Sequence, residues 1–399
     1  MSSDWRLVDG VVTAWFEAPS LTAGAALAGR IVELSPAILV DLRPTGVRVR
    51  LDPADSVEHA DAVSAAARDL GLTADPAALQ QLDVVAESAQ PAEVRQFWQR
   101  VLDYATADVG LADPLRRDPA LRIRPSTEHR PLRNRLHLDV VRPAAAVEQA
   151  DVGDASGPYG VRHTDVDGNE VDLVPGDALG DSSATADWQA VFSAMACYRT
   201  TSPAQQRDLV TAAAALAEEA GFPLLIDLRP GLVILDSGKD LWESDTHGLA
   251  LDFTDLAAKL QAAAREVGAA ADPGLPRFVQ LFLDAADVTA VRAFWVAALG
   301  YVEDPRAGVT DLYDPRRLNP VVVFQELDAS ETERRRQRNR LHLELSVPSD
   351  VAEDRVAAAV AAGGRLLDEA EDHWRVCDPE GNELVIVTAP APGPAAPPR

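Results

Sequence analysis

Two histidines of this chain sit in nearly identical settings. RNRLHLDV over Arg133–Val140 puts His137 on an apolar strand, and RNRLHLEL over Arg338–Leu345 does the same for His342. A neutral imidazole so placed can ligate a metal or move a proton near neutral pH, whereas a lone strand histidine is often a hydrogen-bonded core residue. Glutamates recur too, in DGNEV (Glu170) and EGNEL (Glu383). Gly-Asn accommodates left-handed backbone angles, so these glutamates are expected to shape a hairpin turn rather than do chemistry. The run ERRRQRNR over Glu333–Arg340 precedes a strand and reads as solvated loop, with Arg338 and Arg340 placed to neutralise an anion at a cleft rim. His163, His247 and His373 have no partner pattern, and His59 and His129 fall in segments expected to be exposed. No dinucleotide fingerprint, P-loop, G-x-S-x-G elbow or Cys-pair zinc motif occurs, which leaves hydride transfer, phosphoryl transfer and serine hydrolysis without support.

The elements that must position these residues come twice. The RNRLHL segments lie 205 residues apart, and three other landmarks recur in the same order. VDLRP (Val40–Pro44) returns as IDLRP (Ile226–Pro230), Phe97-Trp98 as Phe294-Trp295, and DGNEV as EGNEL. The chain is therefore a tandem duplication of a unit of roughly 190–200 residues. Each unit opens with alternating strands, an Ala-rich helix (Leu21–Leu34 in the first copy), the LRP strand and a closing helix, which predicts a two-layer α+β sandwich with helices on one face of an antiparallel sheet. Its second part reads βαβββ twice. In the first of its helices Val94, Phe97, Trp98, Val101 and Leu102 fall at i, i+3, i+4, i+7 and i+8, one buried stripe, so the Phe-Trp pair is core.

Composition narrows the partners. A chain of 399 residues, 47% of them hydrophobic, folds with ample core. No apolar run approaches the ~20 residues of a membrane span, and MSSDWRLVDG lacks the features of a signal peptide. With only Cys197 and Cys377, a disulfide framework is out of reach and a reducing cytoplasm is expected. A formal net charge of −26 argues against nucleic acid and anionic membranes alike. The expected partners are a small-molecule ligand or substrate, and a second copy of the chain in a homodimer.

The FW helix ending in LGY, the RNRLHL strands, and DPEGNELVIV or DVDGNEVDLV resemble the glyoxalase-like branch of the vicinal oxygen chelate superfamily. The opening part of each unit, WRLVDG with the helix before VDLRPTGVRVRL and the closing ADAVSAAARDLGL, is similar to pterin-4a-carbinolamine dehydratases in layout. The resemblance implies an α+β fold of two repeats, each a small dehydratase-like sandwich (1–74 and 187–270) followed by paired βαβββ modules (78–178 and 275–389), with a disordered tail over 390–399. Dehydratases use a His-His-Pro triplet and a later histidine. Those positions hold Pro36-Ala37-Ile38, Phe222-Pro223-Leu224 and the Asp52–Ala54 segment here, so dehydratase activity is not expected. In the glyoxalase-like family the metal ligands come from first and last strands of the modules. Carried over copy by copy, this gives Asp83, Arg124, His137 and Asp172 in the first copy, of which Arg124 opposes a cation and suits a substrate anion. In the second it gives Gln280, Gln325 or Glu326, His342 and Val385, where Gln280, Glu326 and His342 make a three-ligand site, with Glu326 and His342 catalytic and Gln325 and Arg340 touching substrate. Such N/O sets imply one divalent Zn, Ni, Mn or Fe, with a metal-free site the equal alternative. The implied function is lyase, isomerase or dioxygenase chemistry on a small oxygenated metabolite in at most one cleft. The alternatives are a metal-free sequestering protein and a non-catalytic scaffold.

Overall fold

A computed structural model describes residues 3–52, 56–243, 246 and 248–388. His247, Pro53, Ala54 and the expected tail lie outside the described residues.

The opening parts of the two copies build one layer together. Their strands form a continuous antiparallel run whose central pair is Leu39–Arg43 against Leu225–Arg229, the two LRP strands. Helices Leu21–Leu34, Ser56–Asp69, Pro203–Glu219 and Phe253–Glu266 cover one face and share a single apolar core with it. Alternation along the strands turns Leu42 and Leu228 into that core and leaves Asp41, Arg43, Asp227 and Arg229 on the other face. Asp41 sits directly opposite Asp227, a repulsive pairing that the arginines resolve reciprocally. Arg43 bonds Asp227 at 2.7 Å and Arg229 bonds Asp41 at 2.6 Å, so DLRP is a device for joining the two copies.

Helices of the second layer start and stop where local chemistry says they should. Asp287 caps Val288–Leu299 by accepting from Ala290 N, and Gly300 ends it with φ of 64°. Val291, Phe294, Trp295, Ala298 and Leu299 are its buried stripe. In the equivalent helix Pro91–Leu102, Trp98 is fully buried but Phe97 is only half-buried against the core, a milder role than the stripe predicts.

The βαβββ modules pair in a way the copy-by-copy reading does not anticipate. Strand Leu136–Pro143 of the first copy runs antiparallel to Phe278–Ala285 of the second, with Asp139 opposite Gln280 and His137 opposite Phe282. Strand Leu341–Val347 of the second copy pairs the same way with Gln81–Ser88 of the first, with Glu344 opposite Asp83. Each sheet is completed by parallel neighbours, Glu170–Ala178 and Val322–Glu326 in one, Glu383–Thr388 and Leu121–Pro125 in the other. Every sheet thus takes one module from each copy, and the expected pairing within a copy is replaced by an exchange.

The exchange is fastened at the RNR segments. Arg135 N donates to Asn339 Oδ1 and Arg340 N to Asn134 Oδ1, at 3.0 and 2.9 Å. Each asparagine amide also reaches the GNE turn of its own copy, Asn134 to Asn169 and Asn339 to Asn382. Those turns are built on Asp165 and Asp378, whose carboxylates accept from the turn's amides and from the indoles of Trp98 and Trp295.

Candidate metal centre

Because strands alternate, the residues facing away from the core can be read along each sheet. In the sheet of Leu136–Pro143, Leu136, Leu138 and Val140 enter the core, while His137, Asp139 and Val141 face outward. Asp172 stands beside Asp139 on one side and Gln280 on the other, so one row across three strands reads Asp172, Asp139, Gln280. Ligand-capable atoms of His137, Asp139 and Asp172 lie within 4.8 Å of one another. Asp139 and His137 are 6% and 7% exposed, which keeps the group largely out of water.

The hydrogen bonding leaves this set incomplete. Gln280 Nε2 donates to Asp139 Oδ2 at 3.0 Å. Among the described residues, Asp139 Oδ1 and Gln280 Oε1 are buried without a hydrogen-bond partner, although His137 Nε2 lies 3.7 Å from Asp139 Oδ1. Two orphaned acceptors side by side are costly unless something positive or protonated completes them. Protonation states follow from the surroundings. Burial pushes the Asp139 carboxyl up to about 7, with Asp172 adding to the rise. Burial together with Arg133, Arg334 and Arg162 lowers His137 to about 4, so its imidazole is neutral and free to ligate. Those cations are themselves engaged, Arg133 with Glu170 at 2.7 Å and Arg334 with Asp284. His137 also stacks on Phe282 at 5.1 Å, which fixes its ring.

The equivalent row of the other sheet has the opposite character. Asp83, Glu344 and Val385 stand where Gln280, Asp139 and Asp172 stand in the first. Arg122 bonds Asp83 at 2.9 Å and Glu344 at 3.0 Å and also reaches Asp9, and Arg124 bonds Glu344. His342 lies 3.9 Å from Glu87, but that carboxylate already holds Arg338 at 2.6 Å and Arg130 at 2.7 Å. Burial lowers His342 to about 4. With Asp83, Glu87 and Glu344 each matched by a guanidinium, this face offers a cation no ligand set among the described residues.

The ligand sets carried over copy by copy are therefore regrouped. Gln280 and His342 lie in different sheets, as do Asp83 and His137, so neither expected set is brought together. Glu326 follows Val322 and Phe324 in steps of two onto the core side of its strand, at the exposed end, and does not join the row. Gln325 lies on the outward face beside Asp284. Arg340, expected at a rim, is 5% exposed, and its guanidinium is spent on Asn169 Oδ1 and the carbonyls of Arg130, Leu132 and Gly168. Arg338 bridges Glu87 and Glu383 rather than awaiting an anion. Glu383 accepts from Arg338, and Glu170 accepts from Arg133, the matching arginine of the first copy. Asp139 went unnoticed in the sequence, although it lies two residues from His137 on one strand face, which is the signal that finds it.

Comparison with known proteins bears on the family. The family model of the glyoxalase-like domain matches residues 83–174 and again 280–387. Among curated proteins none matches the chain. Similar solved structures include glyoxalase I from Zea mays, 10% identical over 78% of this chain and 92% of that one, with a TM-score of 0.37. Another is a glyoxalase/bleomycin resistance protein/dioxygenase family enzyme from Burkholderia phytofirmans PsJN, 19% identical over 27% of this chain and 94% of that one, with a TM-score of 0.20. Scores of this size carry no argument about the site.

Proposed function

The chain belongs to the glyoxalase-like domain family, and on that premise we propose that it is a small-molecule enzyme working at one divalent-metal site, made by His137, Asp139 and Asp172 with Gln280 beside them. The observation that carries this reading is the pair of orphaned buried oxygens, Asp139 Oδ1 and Gln280 Oε1, next to a neutral imidazole. One nitrogen and three oxygen donors suit Zn, Ni, Mn or Fe, and the set fits. Bound there, the ion supplies Lewis acidity to a substrate carbonyl or enediolate oxygen. The chain's own residues do the rest. Phe282 holds the His137 ring, and Gln280 Nε2 fixes one oxygen of Asp139 so that the other points free. A carboxyl held near 7 gives up its proton to a cation at little cost, and without one it exchanges a proton with a substrate at neutral pH. Arg133 and Arg162, both part-exposed, flank Glu170 at the same face and favour a substrate that carries or develops negative charge. The substrate class is a small metabolite with adjacent oxygens.

Calorimetric titration with Zn2+ and Ni2+ tests it. One ion per chain should bind, and Asp139→Asn, Asp172→Asn or His137→Ala should each weaken binding by roughly 10–100-fold or more. His342→Ala should leave it unchanged. No saturable site in the unaltered protein leaves a metal-free binding protein or a scaffold.

A further inference from the structure

The strand face of the first layer turned away from its helices meets the second layer around a cavity of about 80 Å³. Its walls carry Arg43, Arg48, Arg117, Lys239, Arg277 and Arg317, against Asp118 and Asp236. In a chain of net charge −26 such a cluster is not a by-product of basic composition. Four of these cations are held by carboxylates, Arg43 and Arg117 sharing Asp227. Arg43 bonds Asp227 at 2.7 Å, Arg117 bonds Asp227 at 2.6 Å and Asp236 at 2.7 Å, Arg277 bonds Asp118 at 2.7 Å, and Lys239 bonds Asp311.

Arg48 and Arg317 are different. Arg48 is 3% exposed and spends only Nε, on Asp41 at 2.6 Å. Asp41 also serves Arg50 and Arg229, so one carboxylate answers three guanidinium groups. Burial and the nearby Arg48 push the Arg50 guanidinium well below its usual value, a sign of local positive excess. Among the described residues the two Nη atoms of Arg48 donate to nothing. Arg317 is held at a left-handed φ of 54° and stacks over Tyr313 at 3.6 Å. Its guanidinium also makes no hydrogen bond or ion pair among the described residues. Arg48 shares the single charge of Asp41 with two other guanidinium groups, and Arg317 has no ion pair among the described residues, so two forks with open Nη donors on one cavity call for an anion.

We propose that this cavity binds a single tetrahedral oxyanion, inorganic phosphate, between Arg48 and Arg317. Each fork can take two oxygens of such an ion, a geometry that a guanidinium matches and an ammonium does not. The volume is well under the roughly 300–1,000 Å³ of a pocket for a drug-sized ligand, so the occupant is the ion itself rather than a phosphorylated metabolite. None of these residues belongs to the His137 site, so the outcome of the metal titration leaves this inference standing or falling by itself.

The experiment is titration of the full chain with inorganic phosphate at constant ionic strength, read by calorimetry and by 31P line broadening, with chloride and glycerol phosphate as comparison ligands. Saturable binding of phosphate, absent for chloride and at least 10-fold weaker for glycerol phosphate, is expected. Arg317→Asn, a residue that tolerates the left-handed backbone, and Arg48→Gln should each weaken it at least 10-fold. Should Arg48→Gln fail to fold, Arg317→Asn carries the test. Absence of saturable phosphate binding, or equal binding by the unaltered protein and Arg317→Asn, overturns the proposal, and tighter binding of glycerol phosphate overturns the choice of occupant.

Discussion

Asp139 combines two demands that pull in opposite directions. A carboxyl forced up to about 7 by burial costs the folded state stability wherever the unfolded chain would already be ionised. Below about pH 4 both states are protonated and the residue contributes nothing. Between there and pH 7 the unfolded chain loses its proton first and stability drains away, and above 7 the loss is complete. Asp139→Asn should therefore stabilise the metal-free protein by up to about 4 kcal/mol at pH 8 and hardly at all at pH 4. Urea unfolding of both proteins at the two pH values reads this directly, and an equal difference at both would sink the account. Saturating metal should reverse the ranking, because ion binding adds its own free energy to the unaltered protein alone. The row of Asp172, Asp139 and Gln280 was half legible in the sequence. His137, Asp172 and Gln280 could each be placed by family resemblance, yet Asp139 hid inside LHLDV, where a two-residue step from His137 was the only clue.

At the scale of elements, the LRP strands show how a repeated motif can be structural while looking functional. Asp41 and Asp227 face each other across the central pair, and each is held by the other copy's arginine. Asp41→Asn leaves Arg48, Arg50 and Arg229 buried without their shared counter-charge, and a loss of about 3–5 kcal/mol is expected. The exposed pair Arg6–Asp350 supplies the contrast, since Asp350→Asn should cost no more than about 1 kcal/mol. Thermal and denaturant unfolding of the two variants would decide, and similar losses would refute the assignment. Elements themselves were readable because periodicity and caps are local. Which strand pairs with which was not, since RNRLHL occurs twice and either copy's first strand could accept either partner. Cross-copy bonds such as Arg340 to Gly168 O and Arg135 to Glu380 O mark the choice made, and no local pattern encodes them.

Over the whole molecule, the two copies are complementary rather than redundant. One sheet matches the carboxylates of its outward row with arginines, and the other leaves Asp139 and Asp172 of its row without a bonded guanidinium among the described residues, although both are built from the same two kinds of module. Because each sheet needs both copies, cutting the chain within residues 180–187 should give halves that do not fold as monomers. Expressed apart, they expose the edges of Gln81–Ser88 and Leu136–Pro143 or of their partners, and expressed together they should co-purify one to one. Light scattering and near-UV dichroism of each half provide the check, and a monomeric half with native-like dichroism would refute the exchange. One consequence reaches beyond the folded protein. A saturation scan for lost metal binding should not mark out one half of the gene, but should find sensitive codons in both, at 137–172 and at 280, flanked by tolerant ones at 83 and 342. Neither copy can then be inherited, lost or shuffled as a working unit by itself, and the duplication is locked in by its own geometry.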